Sequence, residues 1–210
     1  MTKKIITIGL VLLYTIGLYS QVNTSNISFE LRYPVPVGNN FINKAFFGDG
    51  YLGLMDLAID YNVLKFNELA LGITLNSSVL RASSVSDITL LILSPKIKFE
   101  YELNLNRVSL IPQIGFGYSN WRYYAILQYT NEIGEPAGTI SDKSNSNGLT
   151  FQALTKLKIN SGKSINWYFL ITYEFTKLEK PEIEGADTKF NRNIHIVYPG
   201  IGLQWNFNNK

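Results

Sequence analysis

The feature that most constrains this chain is alternation. From Gln21 onward, apolar and polar residues change places at nearly every step along eight segments, and no helical period competes with that pattern. The segments are residues 27–34, 51–61, 69–80, 88–103, 108–118, 149–159, 165–176 and 194–207. They are rich in β-branched and aromatic residues and are broken by clusters of Gly, Asn, Ser and Pro. Side chains on a strand alternate between two faces, so each segment has one face of each kind. The chain therefore reads as all-β and as a single domain, with no internal repeat or linker.

The connections carry a second regularity. Long ones (35–50, 81–87, 119–148, 177–193) follow the first, third, fifth and seventh segments, and short ones (62–68, 104–107, 160–164) follow the second, fourth and sixth. Short turns on one rim and long loops on the other suit a transmembrane barrel, whereas a Greek-key sandwich has no reason to keep that order. The segments bracket the ~9–11 residues that a tilted strand needs to cross a bilayer.

Charge sorts by face. Glu30 and Arg32 share a face with Ser28, opposite Ile27, Phe29, Leu31 and Tyr33. Asp56 and Asp60 oppose Met55, Leu57, Ile59 and Tyr61. Lys96, Lys98, Glu100 and Glu102 oppose Ile97, Phe99, Tyr101 and Leu103; Lys156 and Lys158 oppose Leu157 and Ile159; Glu174 opposes Tyr173 and Phe175. All eleven charges fall on the polar face, which chance gives roughly one time in sixty. That face is otherwise small, with Ala70, Gly72, Thr74, Gly115, Gly117, Gly200 and Gly202 among its members. Phe99, Phe116, Trp167, Phe169 and Trp205 crowd the other. The interior of an eight-stranded barrel is just wide enough for side chains, so the small face turns in and the bulky one out. An outward apolar belt requires lipid. Tyr61, Tyr101, Trp167 and Trp205 then form a girdle near the short-turn rim, and Tyr33, Tyr51, Tyr118, Phe151 and Phe175 one toward the long-loop rim.

The N-terminus agrees with export. Lys3 and Lys4 precede an apolar run over 5–18, and Ser20 meets Gln21, which is the layout of a cleaved signal peptide over residues 1–20. The run's 14 residues span only ~21 Å as a helix, short of a ~30 Å hydrocarbon core. With no Cys in the chain, a lipoprotein anchor and a disulfide framework are both excluded. The mature barrel, 21–210, carries 17 basic and 16 acidic residues, so no basic surface suggests nucleic acid as a partner.

On these residues the chain resembles the small outer-membrane β-barrel proteins of Gram-negative bacteria, the OmpA/OmpX-like or porin-like barrels, across essentially all of 21–207. The most specific stretch is 198–207 (YPGIGLQWNF), whose Ile201, Leu203, Trp205 and Phe207 look like that family's C-terminal assembly signal. Asn208, Asn209 and Lys210 follow the aromatic residue on which the family often ends. The resemblance implies an eight-stranded antiparallel up-and-down transmembrane barrel in the outer membrane. It would have both ends periplasmic, outer-membrane lipid around it, and the barrel-assembly machinery as partner during insertion.

Function is less constrained. Six acidic residues (Glu30, Asp56, Asp60, Glu100, Glu102, Glu174) against five basic (Arg32, Lys96, Lys98, Lys156, Lys158) suggest a salt-bridged, largely closed lumen. A selective pore would more naturally show a ring of one sign. Catalysis finds no support. His195, the one histidine, falls on the lipid parity with no Ser or acid at matching spacing. Asp56 and Asp60 lie ~13 Å apart by strand rise, too far for a glycosidase pair. No zinc, phosphate-loop or EF-hand motif is present, and no cofactor is expected. Glu179, Glu182, Glu184 and Asp187 make one outer loop acidic. In the long third connection, residues 121–130 (WRYYAILQYT) are strand-like and 131–138 (NEIGEPAG) suit a turn, so the fifth and sixth strands can run on as a projecting hairpin. Trp121, Tyr123, Tyr124 and Tyr129 would offer a docking surface there for a surface partner, with packing onto the barrel mouth as the alternative. Pro95, Pro112 and Pro199 are expected to mark bulges or pairing edges. The reading is thus a non-enzymatic structural or surface-interaction (adhesion-type) barrel. The alternatives are a narrow porin-like channel, a lipid-modifying barrel enzyme and a soluble lipocalin-like binding protein.

Overall fold

A computed structural model describes residues 26–38, 40, 42, 50–82, 87–130, 136–160, 164–179 and 192–207, with the backbone alone at 87, 125–130 and 136–142. Residues 1–25 and 208–210 lie outside them, so the signal-peptide reading and the last three residues do too. The described residues form ten strands: β1 (Asn26–Arg32), β2 (Val35–Val37), β3 (Tyr51–Phe66), β4 (Leu69–Ala82), β5 (Asp87–Tyr101), β6 (Leu103–Leu105), β7 (Val108–Thr130), β8 (Pro136–Ile159), β9 (Ile165–Leu178) and β10 (Asn193–Asn206).

These form one closed antiparallel wall of eight staves. Neighbours run β1, β3, β4, β5, β7, β8, β9, β10, and β10 pairs back onto β1. The two short strands continue a stave after a break: β2 stays on β10 beyond Pro34, and β6 stays on β7 beyond Glu102. Closure leaves the wall without an edge, the condition for a sheet in hydrocarbon. Tracing paired residues from Gln204 through Ser28, Asp60, Thr74, Lys96, Gly117, Thr150 and Thr176 returns to β10 at Ile194, ten residues from the start. That stagger goes with strongly tilted strands and a lumen filled by side chains.

Local chemistry explains the ends. Two inner-rim hairpins turn in two residues, Asn67–Glu68 and Asn106–Arg107, with each Asn at positive φ (52° and 65°). Asn tolerates that region better than other non-glycine residues. The first turn is tighter than the expected 62–68 because β3 runs on to Phe66. Residues 35–37 are strand rather than loop, held by register pairs with His195, Ile196 and Val197. The third long connection is mostly ladder: β7 and β8 pair from Val108↔Ile159 up to Thr130↔Pro136.

At the prolines the expected bulges do not occur, but pairing edges do at two: β5 has no rung to β7 at Ser94 or Pro95, and Pro199 lies between the β1 ladder ending at Gly200 and the β2 ladder starting at Val197. Pro112 pairs Thr155 and Pro199 pairs Ile171 with no register shift, and the β5–β7 register is the same on both sides of Pro95. A strand N–H serves one neighbour only, so a proline forfeits a single bond while the rest of the ladder holds the register. The bulges fall elsewhere, at Gly53/Met55 and Asn62/Leu64 on β3 and at Tyr129/Thr130. The first of these resets the faces above it. Leu54 and Met55 both point outward, and Tyr51, expected in the outer girdle, turns inward and is buried.

The rest of the outer surface is an apolar belt. Ile97 is 57% exposed and Phe169 58%, and Ile73, Phe99, Phe116, Ile171 and Ile201 are exposed with them. Tyr61, Tyr101, Trp167 and Trp205 border the belt at the short-turn rim; Tyr33 and Tyr118 border it at the other. A soluble lipocalin-like binder would bury such a face, so this surface belongs in lipid.

Candidate functional site

The strands' inner faces converge on the lumen, and all eleven charged side chains point into it. Glu30, Arg32, Asp56, Asp60, Lys96, Lys98, Lys156, Lys158 and Glu174 are buried; Glu100 and Glu102 are partly so. They stack in three tiers. At the short-turn mouth, Lys158 and Lys65 both bond Glu102, the latter at 3.1 Å, beside a polar cavity of about 350 Å3 lined by Asn67, Glu68, Asn104 and Gln204. The middle tier joins Lys156 to Asp60 (2.5 Å) and Glu30 (3.0 Å), and Lys98 to Glu100 (3.0 Å) and Asp60 (3.3 Å). The Thr74 and Tyr168 hydroxyls donate to Asp60 and Glu30 at 2.6 and 2.9 Å. In the upper tier Arg32 Nε bonds Asp56 Oδ1 at 2.5 Å and Lys96 bonds Glu174 at 2.7 Å, while Asn76 and Ser78 donate to Asp56. Arg32 also lies 5.0 Å from the centre of the Tyr198 ring, and Lys156 the same distance from Tyr168. Buried charges persist only when paired, and each of these takes part in an ion pair.

Above the ions the lumen becomes apolar, which the sequence reading missed. Tyr51, Leu80, Leu90, Ile92, Trp121, Leu178, Ile194, Ile196 and Tyr198 form one buried cluster. Ile42, from the first outer connection, joins it. The Ile42 N–H donates to Asn40 Oδ1 at 3.1 Å, and its carbonyl accepts from Tyr51 N–H at 2.6 Å. The signal was present: Leu90 and Ile92 share a face with Lys96, and Ile194 and Ile196 with Gly200, so the inward face turns apolar toward the outer end.

The aromatic residues of the hairpin divide between the two faces. Trp121 is completely buried within the roof and Tyr123 packs against it, because both continue the inward parity of Gln113 and Ser119. They crown the lumen rather than forming an exposed surface. Tyr124 takes the other parity, with Lys143 Nζ 5.8 Å from its ring centre. Tyr129 lies on the hairpin's paired backbone, opposite Gly138. His195 faces outward, bonded to the Tyr173 hydroxyl at 2.6 Å and 5.1 Å from the Phe175 ring centre. In the acidic loop, Glu179 accepts from the Tyr118 hydroxyl at 2.8 Å; Glu182, Glu184 and Asp187 lie outside the described residues. Leu203, Trp205 and Phe207 face outward on or just after β10, and the last two rings stack with centroids 5.7 Å apart.

No protein-family model matches the sequence, and no curated protein matches it at a significant level. Solved structures do match. The crystal structure of Neisserial surface protein A is similar with a TM-score of 0.54 at 12% identity, covering 87% of this chain and 97% of that one. A major outer membrane protein of Thermus thermophilus gives 0.51 at 11%, covering 87% and 99%. Ail, the attachment invasion locus protein of Yersinia pestis, gives 0.50 at 16%, covering 88% and 99%. At such identities the likeness is one of fold. The fold is that of the small transmembrane β-barrels of Gram-negative outer membranes, and the apolar belt is the lipid-facing wall such a barrel requires.

Proposed function

We propose that the chain is exported behind a cleaved leader spanning residues 1–20 and is inserted into the outer membrane by the barrel-assembly machinery, which reads Leu203, Trp205 and Phe207. There it acts as a sealed, non-enzymatic barrel that presents its outer loops to a surface partner. One observation carries this reading: ion pairs and an apolar cluster occupy the lumen above the cavity at its short-turn mouth, while β7 and β8 run on together past the end of the wall. The last rung of β5 on β7 is Asp87↔Ile126, yet β7 continues to Thr130 paired with β8. Ion pairs capped by an apolar cluster obstruct a porin-like path, so interaction falls to the loops. Attachment is named in the Yersinia pestis barrel; for the present chain the adhesion-type role rests on the hairpin alone.

Two measurements test it together. Purified protein in planar bilayers is expected to show no stable, large conductance steps. Cells displaying the intact barrel are expected to adhere to matrix-coated surfaces, and cells whose hairpin tip has been excised to lose that adhesion. Regular open-channel steps, or adhesion unchanged by the excision, would overturn the reading.

A further inference from the structure

The apolar belt dips where its outward side chains become small. Pro112 pairs Thr155 and Ile114 pairs Ala153, so Pro112, Ala153 and Thr155 set short side chains side by side on β7 and β8. Phe116 and Phe151, edge to face at 5.1 Å, stand on the rung above, and Leu110 and Leu157 on the rung below. The result is an apolar groove of about 600 Å3 on the lipid-facing wall. It crosses the staves from Phe99 on β5 through Ala153 to Tyr173 on β9 and Val197 on β10, which share one line of rungs. Clefts that hold small ligands measure ~300–1,000 Å3.

The outer end of this groove is polar, against the pattern of the wall. Tyr173 lines the groove, and its hydroxyl and His195 Nδ1 are bonded at 2.6 Å. When the hydroxyl donates to Nδ1, the imidazole carries its proton on Nε2, which has no hydrogen-bond partner among the described residues. An ionisable side chain turned toward lipid is costly and marks a site with a partner. Lys177 stands beside it. Leu149 pairs both Lys177 and Tyr118, which puts Lys177 on the rung of the outer aromatic border, where lipid head groups begin. Lys177 pairs Asn193 and Phe175 pairs His195, so Lys177 and His195 point outward as diagonal neighbours on β9 and β10, ~7–8 Å apart. The Lys177 ammonium makes no ion pair among the described residues. The acid two residues on, Glu179, is turned to β7, where it accepts from the Tyr118 hydroxyl at 2.8 Å.

A groove for hydrocarbon that ends at a cation and an N–H donor, at the level of the head groups, fits an anionic amphiphile. We propose that this face of the wall holds one phosphate-bearing lipid of the outer leaflet. Its acyl chain lies in the groove over Pro112, Ala153 and Thr155, and its phosphate is bound by Lys177 Nζ and His195 Nε2. Tyr173 is a positioning residue, which keeps the imidazole with Nε2 outward. The lipid is a resident of the wall rather than a passing neighbour, because the groove adds contacts along the chain while the phosphate fixes its depth.

The test is native mass spectrometry of the purified full chain from non-ionic micelles, titrated with the bisphosphorylated glycolipid lipid A, with its dephosphorylated form and with inorganic phosphate. One lipid A is expected to bind, the dephosphorylated form at least about tenfold more weakly, and phosphate alone not at all. Lys177→Gln, which removes the cation, and Ala153→Phe, which fills the groove, are each expected to weaken lipid A binding by about tenfold or more. Arg107→Gln at the opposite rim should leave it unchanged. Tyr173→Phe should weaken binding in the otherwise unaltered chain but not in the His195→Ala variant. Heat-modifiable migration shows which variants are folded; if Lys177→Gln or Ala153→Phe does not fold, the other decides. Equal binding of the dephosphorylated form overturns the proposal. So does binding of phosphate alone, an equal loss in Arg107→Gln, or an affinity indifferent to Ala153→Phe.

Discussion

Lys96 Nζ donates to Glu174 Oε2 at 2.7 Å across the lumen, joining β5 to β9 with two staves of wall between them. Lys96 bonds the Asn76 amide oxygen as well, so its ammonium bridges three strands. Such a pair holds opposite walls at one separation, and its removal is asymmetric. Lys96→Met should leave Glu174 as an uncompensated buried charge and destabilise the barrel by about 3–5 kcal/mol. The double variant Lys96→Met/Glu174→Leu should recover most of that loss. Urea unfolding in micelles, read as a double-mutant cycle, checks both numbers.

Close packing makes a second prediction. A β-carbon at Gly202 would sit 2.2 Å from the Tyr168 ring, which is buried and bonded to Glu30. Gly202→Ala is therefore expected to cost about 1–3 kcal/mol by displacing that ring. Gly115→Ala meets only the end of a Gln side chain, at 3.2 Å, and should cost clearly less. Equal losses in the same unfolding assay would mean the ring can move freely.

Lipid exposure gives a depth-dependent expectation. Ile97 lies within β5, four residues before Tyr101 of the short-turn girdle, and Leu105 lies at the short-turn rim beside Asn106. Ile97→Lys should destabilise by about 2–4 kcal/mol in bilayers, and Leu105→Lys by about 0–1 kcal/mol. Folding titrations in phospholipid vesicles measure both, and a reversed order would place the membrane elsewhere on the wall.

The hairpin beyond the wall should be dispensable for folding. Excising residues 127–140 and joining Ile126 to Ser141 through Asn-Gly keeps every β5–β7 rung, since these end at Asp87↔Ile126. The variant should keep heat-modifiable migration on gels. Loss of that shift would make the hairpin part of the barrel's stability.

Much of the wall was legible because a strand's faces are set by alternation alone. Charges at Asp60, Lys96 and Lys156 declare which face is inner, and Asn and Gly clusters mark most turns. Tyr51 was not legible. Its face depends on one extra residue at Gly53/Met55, and a bulge leaves little trace in an apolar run such as Tyr51–Leu57. The prolines were half informative: no bulge forms at Pro112, where the neighbouring rungs absorb the lost donor, but β7 rungs are missing at Pro95 and the β1 ladder stops just before Pro199. Trp121 is strand-like in the sequence, but as part of a projecting hairpin its burial is not evident. Once β7 continues, the same parity that places Gln113 in the lumen places Trp121 there. The partnering of the ions lies beyond pattern, because Lys156 meets Asp60 only after the cylinder closes.

That closure is made by the strands nearest the two ends of the chain, with Phe29 set against Leu203 and Leu31 against Ile201. Apart from these and the β2–β10 rungs that prolong them, the rungs join staves that follow one another in order of synthesis. A nascent polypeptide lacking its final stretch would thus present two bare margins to the hydrocarbon, with no local substitute for the absent mate. Completion becomes an all-or-nothing inspection: a full-length product latches shut, and a truncated one stays open for a protease to find.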